Sequence, residues 1–292
     1  MLHNNRDDFL RVLENTSART GFPLLLIEKD YYLTVILSGI HTLSNDLVFK
    51  GGTCLNKVYF SYYRLSEDLD FTLRLPTDPP SRAVKQKGIK PIKTGILSYV
   101  QSFDMRIRNL DRVGFNESSQ YIFEIDYDSI VLEKSQSIKL EIGLRHNPTL
   151  PTVLRKINHP FLHPFTGKPL FEGGDVTCLD LKEIVAEKMR ATATRLKIAP
   201  RDFYDLGFLI KSGFNFQDKQ LWKLFSTKLG EDGFDTDPSQ YRVNLGRSQE
   251  EIEQMSSRIE AELLAVLTAD EQKSFHLQET LILLNKTMAT MK

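Results

Sequence analysis

Apolar residues recur at two different periods along the chain, and each period marks a different kind of structure. Residues 7–43 repeat them at helical spacing, which predicts helices. Residues 121–127 and 137–144 alternate apolar with polar positions, which is the pattern of half-buried strands. Short apolar runs at 47–49 and 69–75 predict two further strands. The first half of the chain is therefore expected to combine a sheet with helices.

The composition changes between residues 145 and 175, where five of the twelve prolines fall. Because proline removes a backbone donor and interrupts regular structure, we predict a connector at 151–175. It would join an α/β N-terminal lobe at 1–150 to a helical C-terminal lobe at 176–292. The apolar repeat at 250–267 is expected to be core of that second lobe. The predicted fold class is α+β and bilobed, with a small mixed sheet and flanking helices in the first lobe.

Composition and charge set limits without indicating a function. The chain has 292 residues, 41% of them hydrophobic, with 38 Lys+Arg against 38 Asp+Glu, which suits a globular protein of about two domains. A net charge of zero excludes a generic polycation that coats nucleic acid or membranes, so any such contact must come from a local patch. Cys54 and Cys178 are too few for a disulfide framework.

No segment predicts membrane contact. The apolar stretch 24–40 is interrupted by three charged residues and is too short to span a bilayer. The N-terminal residues lack the apolar core of a signal peptide. We therefore expect a cytoplasmic protein.

The most informative segment combines a Gly-Gly-Thr turn with a pair of acids further along the chain. Residues two apart in a strand project from the same face, ~6.6 Å apart, so Asp68 and Asp70 point together. Two such carboxylates repel unless a cation lies between them, and their oxygens suit Mg²⁺ or Mn²⁺, which also bind substrate phosphates. Gly51 and Gly52 allow close backbone approach, and Thr53 offers a hydroxyl to a phosphate. The alternative is that the acids are a solvated strand end.

The order of these residues resembles the signature of DNA-polymerase-β-like nucleotidyltransferases. More closely, it is similar to the AbiEii/AbiGii toxin family of bacterial toxin–antitoxin and abortive-infection systems. One departure is that fifteen residues separate Gly52 from Asp68, a long spacing for the superfamily. The matching blocks are Glu28-Lys29-Asp30-Tyr31-Tyr32, Gly51-Gly52-Thr53, Arg64-x-Ser66-x-Asp68-x-Asp70-Phe71, Glu187-Lys188-x-Arg190-Ala191 and Arg201-Asp202-x-x-Asp205-Leu206.

The resemblance implies a third acidic residue on a neighbouring strand, which would help to hold the metal and to deprotonate the attacking hydroxyl. Glu141 is the candidate, because it lies on the polar face of the most regular alternating strand. Glu124, Asp126 and Asp128 share one face of the preceding strand and are rivals. Each of the four is equally compatible with an exposed strand face.

Two cations follow the apolar stripe of a helix predicted at about 180–197. Lys188 and Arg195 continue that stripe, whereas Arg190 lies off it and is expected at the surface. Such cations can lie along a helix edge, pair with buried acids, or line an interlobe cleft that holds a triphosphate. The resemblance implies triphosphate binding at Lys188.

The next predicted helix begins with a proline at residue 200 and carries two acids, which a helix N-terminus stabilises without any catalytic role. The family motif nevertheless implies an active-site role for Asp202, as a base or a nucleotide-orienting group. We expect Asp205 to be structural. Lys29 and Asp30 are expected to contribute structurally, to an ion pair between the lobes.

The stretch between Asp78 and Asp104 contains no acid. Because it follows directly after the acidic strand, we predict that it offers phosphate contacts to a polynucleotide acceptor. The alternative is a solvated, charged loop. Its cations are Arg82, Lys85, Lys87, Lys90 and Lys93.

The leading hypothesis is an Mg²⁺-dependent nucleotidyltransferase that moves NMP from an NTP to an acceptor hydroxyl. By resemblance, the acceptor is RNA, such as a tRNA 3′ end, and the protein is a toxin with a cognate antitoxin. One alternative keeps the transferase and changes the acceptor to a protein side chain or a small molecule. Another is a non-enzymatic nucleotide- or RNA-binding module.

Overall fold

The computed structural model describes residues 1–290, and the chain divides into two compact units. The first unit is Met1–Leu179 and the second begins at Asp180. The boundary therefore follows the proline-rich stretch instead of lying within it. Residues 151–175, predicted as a connector, belong to the first unit and contribute strands to its sheet.

One mixed sheet forms the centre of the first unit. Its strand order is β3-β5-β6-β2-β1-β8-β7, with β4 paired to β5. The pairs β2–β6 and β1–β8 are parallel, and the remaining neighbours are antiparallel. The strands are β1 (Leu47–Lys50), β2 (Asp68–Leu73), β3 (Arg106–Ile107), β4 (Gly114–Phe115), β5 (Gln120–Ser129), β6 (Lys134–Gly143), β7 (Val153–Lys156) and β8 (Asp175–Cys178).

The four strands predicted from the apolar pattern are confirmed as β1, β2, β5 and β6. β7 and β8 were missed, because β7 places Leu154, Arg155 and Lys156 at the surface of an edge strand and so lacks an apolar face. Its pairing with β8 is a contact between distant segments that no local pattern shows.

Helices of the first unit pack around this sheet. The helix that begins directly at the Gly-Gly turn continues as a π-helical segment, Leu55–Tyr59. The helices are α1 (Arg6–Thr20), α2 (Leu24–Ser38), α3 (Gly51–Cys54) and α4 (Arg82–Gln101).

The acid-free basic stretch is a helix and not a loop. Ser81 caps α4 by accepting a hydrogen bond from the backbone of Val84, and Pro91 lies within the helix. Four apolar side chains at helical spacing are buried, which favours the helix despite its glycines and proline. They are Ile89, Ile92, Ile96 and Val100.

The two faces of the sheet differ in chemistry. Leu69 and Phe71 of β2 lie beside Leu140 and Ile142 of β6 on one buried, apolar face. α4 covers this face, since a Cβ atom on Gly88 would lie 3.4 Å from the side chain of Leu73. The alternate residues of the same strands, including the acids, therefore form the opposite, polar face.

The described part of the second unit is helical. The apolar repeat predicted as core is confirmed, since Ile252, Met255, Leu263 and Leu267 are buried. None of the helices in residues 1–290 has the length and apolar character needed to cross a membrane. The helices are α5 (Leu181–Thr194), α6 (Pro200–Lys211), α7 (Lys219–Glu231), α8 (Gln249–Ser256), α9 (Ile259–Glu262), α10 (Ala269–Ser274) and α11 (Leu277–Ala289).

Candidate active site

Asp68 and Asp70 lie on the polar face of β2, as the alternation predicts. The pKa of Asp70 is raised to about 6, first by burial and then by the negative charge of Glu141, with a smaller contribution from Asp68. A carboxylate held close to other carboxylates gains most from a neighbouring cation.

The Gly-Gly turn lies directly against this carboxylate. Gly51 has a φ of 77°, and a Cβ atom there would lie 2.5 Å from Oδ2 of Asp70. A Cβ atom on Gly52 would lie 2.6 Å from Nη2 of Arg64. Position 51 therefore favours glycine both for its φ and for its contact with Asp70, whereas a larger residue in place of Gly52 would displace the Arg64 guanidinium.

Thr53 connects the turn to the strand. Its side chain is buried, and its hydroxyl donates a hydrogen bond to the backbone carbonyl of Asp68. The hydroxyl thus positions β2 in this structure. Its predicted donation to a phosphate stays a prediction.

Glu141 is the acid nearest to Asp70 in register, because the two residues are paired across the parallel strands β2 and β6. Its Oε1 accepts a hydrogen bond from Gln120 at 2.7 Å, and its Oε2 accepts one from Lys139 Nζ at 3.1 Å. Glu141 therefore lies beside the Asp pair with both oxygens held by neighbouring side chains.

The rival acids lie further along the sheet. Asp128 of β5 accepts two hydrogen bonds from Arg106, the first residue of the edge strand β3. Asp126 accepts two from Arg108, which directly follows β3. Glu124 is paired in register with Lys139, one strand beyond β6 from β2. Strand register favours Glu141 as the third carboxylate.

Lys139 is a residue that the sequence analysis did not single out. Burial lowers the pKa of its ammonium group, but the charges of Glu141, Asp68 and Asp70 raise it by more, so that it is raised overall. This half-buried cation thus offsets part of the charge of the three acids, and Lys50 also acts on Asp70. The available signal was its position two residues before Glu141 on the same strand face.

The chemistry of this donor set fits a hard divalent cation, although the side chains are not gathered around one. No group of three His, Cys, Asp or Glu side chains within residues 1–290 is arranged as a metal site. Asp68, Asp70 and Glu141 nevertheless offer carboxylate oxygens from adjacent strands. Burial and the neighbouring negative charges raise the pKa of Asp70, and a bound cation would lower it again.

A second charged cluster lies within the second unit. Lys188 Nζ lies 2.8 Å from Asp202 Oδ1 and 2.6 Å from Asp205 Oδ2, and Arg195 Nη1 lies 2.8 Å from Asp202 Oδ2. α5 ends at Thr194, so the predicted helix is too long and Arg195 lies beyond its last turn. Of the three roles that the sequence left open for Lys188, the structure shows pairing with buried acids.

The charge state of Asp202 distinguishes between its two predicted roles. Burial alone would raise its pKa, but Lys188 and Arg195 hold it below the ordinary value. An acid this firmly ionised is a weak proton acceptor near neutral pH, whereas it holds cations well. The geometry therefore favours orientation of Lys188 and Arg195 over a role as base. Asp205 is fully buried.

Residues of the upstream block have partners inside the first unit. Lys29 Nζ lies 3.2 Å from Glu67, and Asp30 pairs with Lys57 at 2.7 Å. The predicted ion pair between the lobes is therefore wrong. The sequence analysis also missed Lys57, which is fully buried and donates to Thr34 and Tyr62.

The predicted RNA-contact residues lie on α4, which packs on the apolar face of the sheet. Lys85 is half-buried and donates to the hydroxyl of Ser119, whereas the other four cations are exposed. The carboxylates of β2 lie on the opposite face. The basic helix is thus adjacent in sequence to the acidic strand but separated from its acids by the sheet. The exposed cations are Arg82, Lys87, Lys90 and Lys93.

One family model matches the chain, and two solved structures share its fold. The family described as nucleotidyl transferase AbiEii toxin, type IV TA system, matches residues 35–278. MenT4, a nucleotidyltransferase toxin from Mycobacterium tuberculosis H37Rv, aligns with a TM-score of 0.53 at 18% identity, covering 99% of both chains. A candidate nucleotidyltransferase from H. pylori aligns with a TM-score of 0.52 at 18% identity, covering 89% of this chain and 92% of its own. No curated protein matched by sequence. The structural neighbours support the mixed α/β fold.

Proposed function

We propose that this chain, which belongs to the AbiEii family of nucleotidyl transferase toxins of type IV toxin–antitoxin systems, transfers a nucleoside monophosphate from an NTP to the hydroxyl of an RNA. The observation that carries the proposal is the arrangement around Asp70. Its carboxylate lies against the Gly-Gly turn and is paired in register with Glu141. A turn of exposed backbone donors beside clustered acids suits a metal–triphosphate complex.

Each predicted residue has a distinct part in the proposed reaction. Asp68, Asp70 and Glu141 would hold Mg²⁺ or Mn²⁺, which supplies neutralising charge at the phosphates when bound. Gly51, Gly52 and Thr53 would hold the triphosphate from the first unit. Lys188, by its family motif, and Arg195, which shares Asp202 with it, are proposed as phosphate-binding residues of the second unit, with Asp202 orienting both cations.

The bonds exchanged are those of a phosphoryl substitution. The acceptor oxygen forms a bond to the α-phosphorus, and the bond from that phosphorus to the β-bridging oxygen breaks. Pyrophosphate leaves with the bridging electron pair. The acceptor proton passes to a carboxylate of the polar face, for which Glu141 is the candidate.

A tRNA 3′ end is the proposed acceptor, and an antitoxin protein is the proposed partner. The family description, a nucleotidyl transferase toxin of a type IV toxin–antitoxin system, supports the antitoxin partner, and the resemblance of the sequence motifs implies the RNA acceptor. NTPs and tRNA place the reaction in the cytoplasm.

The direct test is transfer of label from each of four α-³²P-labelled NTPs to total tRNA in the presence of Mg²⁺. We expect labelled tRNA with the wild-type protein and at least a 100-fold loss with Asp68→Asn or Asp70→Asn, since a metal ligand acts in every turnover. Asp128→Asn is the matched control, because it removes an exposed acid at the sheet edge. No transfer from any NTP at ample enzyme would contradict the RNA proposal.

The same reactions separate the alternative functions. Label that survives RNase and disappears with protease would identify a protein side chain as acceptor. Label on neither macromolecule, together with a metal-dependent rise in Tm with NTP, would indicate a small-molecule acceptor or a binding module. A rise in Tm that Asp70→Asn abolishes would place the nucleotide at the acids of β2.

A further inference from the structure

A cavity of about 630 Å³ lies between α4 and the segment that leads into β5. Its volume is typical of sites that hold small organic molecules. Two lysines, Lys90 and Lys93, line it beside Tyr121, with apolar side chains including Ile89 and Val113. Asp111 also lines it, so the cavity combines two cations and one acid with an apolar surface.

The two lysines of this cavity have no carboxylate partner among the described residues. Within residues 1–290, neither Lys90 nor Lys93 forms a salt bridge, and Lys93 Nζ instead lies 5.9 Å from the ring centre of Tyr121. The Tyr121 side chain is nearly buried, yet its hydroxyl has no hydrogen-bond partner among the described residues. The hydroxyl is not one of the buried polar atoms that lack a partner, so solvent reaches it at the cavity, where it can form a hydrogen bond with a bound ligand.

This cavity lies away from the proposed catalytic acids. Tyr121 is on the apolar face, paired in register with Ile142, which in turn is paired with Phe71 of β2. The sheet itself stands between the cavity and Asp70. A group bound here is therefore not the group that reacts.

Positive charge extends along α4 well beyond the cavity. Arg82 and Lys87 are exposed on the same helix, and no acid lies within it. From Arg82 to Lys93 the helix axis rises ~16 Å, which exceeds the reach of one phosphate. A polyanion accounts for this extent, whereas a single nucleotide does not.

We infer that this cavity holds an unpaired nucleotide of the acceptor RNA at a distance from its reacting end. Lys90 and Lys93 contact backbone phosphates, while the base lies against Ile89 and Val113 and its polar edge meets the Tyr121 hydroxyl. The inference rests on the proposed function, because it assumes an RNA acceptor. This face of the sheet then recognises the body of the RNA and takes no part in catalysis.

The experiment measures RNA binding without catalysis, in EDTA and without NTP, using a fluorescein-labelled tRNA transcript and the full-length protein. Lys90→Ala/Lys93→Ala is expected to weaken binding at least tenfold at 100 mM salt. Loss of two phosphate contacts should reduce the slope of log K against log salt by about 1.4. The matched control is Lys219→Ala/Lys223→Ala, which removes two exposed cations from α7.

A second variant separates the cavity from simple charge. Thr94→Trp places a large ring at the cavity wall without a change of charge, and it is expected to weaken RNA binding at least fivefold while leaving Tm unchanged. AMP at millimolar concentration serves as competitor. Because a free nucleotide fills the same pocket, AMP is expected to weaken tRNA binding by the wild-type protein, and unchanged tRNA affinity of Thr94→Trp would overturn the inference.

Failure of this inference and failure of the proposed function give different results. Equal RNA affinity of the Lys90/Lys93 variant and its control would overturn the inference, whether or not label transfer occurs. Absence of RNA binding by the wild-type protein would do the same. Asp68→Asn is expected to bind tRNA normally while losing transfer, so the two functions are measured separately.

Discussion

At the scale of single residues, the main feature of the candidate site is that three carboxylates lie close together with few cations beside them. Three acids on adjacent strands face one side of the sheet, and Lys139 and Lys50 offset only part of the repulsion at Asp70. The effect is seen in the ionisation of Asp70, whose pKa is raised to about 6 by burial and by the charge of Glu141. Its ionisation near neutral pH therefore costs folding free energy until a further cation binds.

The raised pKa of Asp70 predicts how the free energy of unfolding depends on pH. Because the folded pKa of Asp70 lies above the unfolded value, the folded state binds the proton more tightly, and stability falls as pH rises from about 4 through about 6. We expect Asp70→Asn to stabilise the metal-free protein at pH 7.5 by up to ~3 kcal/mol, and to have little effect at pH 4. Urea unfolding at the two pH values measures the difference.

Asp128→Asn is the control for this substitution. A hydrogen bond from Arg106 lowers the pKa of Asp128, so its removal should give no gain at pH 7.5. Equal effects of Asp70→Asn at both pH values would show that Asp70 does not carry the pH dependence.

At the scale of elements, the Gly-Gly turn sets the position of β2. Gly51 combines a positive φ with contact to Asp70, and the hydroxyl of Thr53 holds the carbonyl of Asp68. The close approach of turn and strand brings backbone donors beside the acids. The site is therefore a property of α3 and β2 together.

Gly51→Ala tests this close approach. Gly213 has a similar φ of 80°, but a Cβ atom there would meet nothing within 4 Å. We expect Gly213→Ala to cost ~1 kcal/mol from backbone strain alone. Gly51→Ala should cost at least ~2 kcal/mol, because strain and overpacking add, and should reduce label transfer more than tenfold.

Thermal unfolding and the transfer assay measure both variants. Equal stability and activity of the two would mean that the Asp70 side chain moves aside at no cost. The turn would then have no role in positioning it.

At the scale of the whole molecule, each unit has its own buried core and its own charged cluster. Lys188 is held by Asp202 and Asp205 entirely within the second unit, and Asp205 is fully buried. Removing one member of a buried ion pair is strongly destabilising, since it leaves an uncompensated charge. A substitution that breaks this cluster should therefore destabilise the second unit first.

We expect Asp205→Asn to destabilise the protein by ~2–3 kcal/mol, somewhat less than a fully broken pair because Lys188 keeps Asp202. Hydrogen exchange should rise in α5 and α6, while the amides of β2 and β6 keep their protection. An equal rise in both units would show that they unfold as one.

Much of the site was predictable because it depends on local pattern. The strand alternation and the Gly-Gly-Thr turn indicated β2, its acids and the turn beside them. The extent of α4 was less evident, since Gly88 and Pro91 are poor helix formers and burial of Ile89 and Ile92 outweighs them. Propensity alone does not include that tertiary contribution.

What the sequence determined by itself was the set of elements and the residue types they carry, because strand and helix periods are local properties of the chain. Only the tertiary structure decided which strands are neighbours, and hence that Glu141 lies beside Asp70 and that Lys139 offsets part of their charge. It also placed α4 on the opposite face of the sheet from the acids that precede it in sequence. Register and face depend on contacts between distant segments, for which spacing along the chain carries no information.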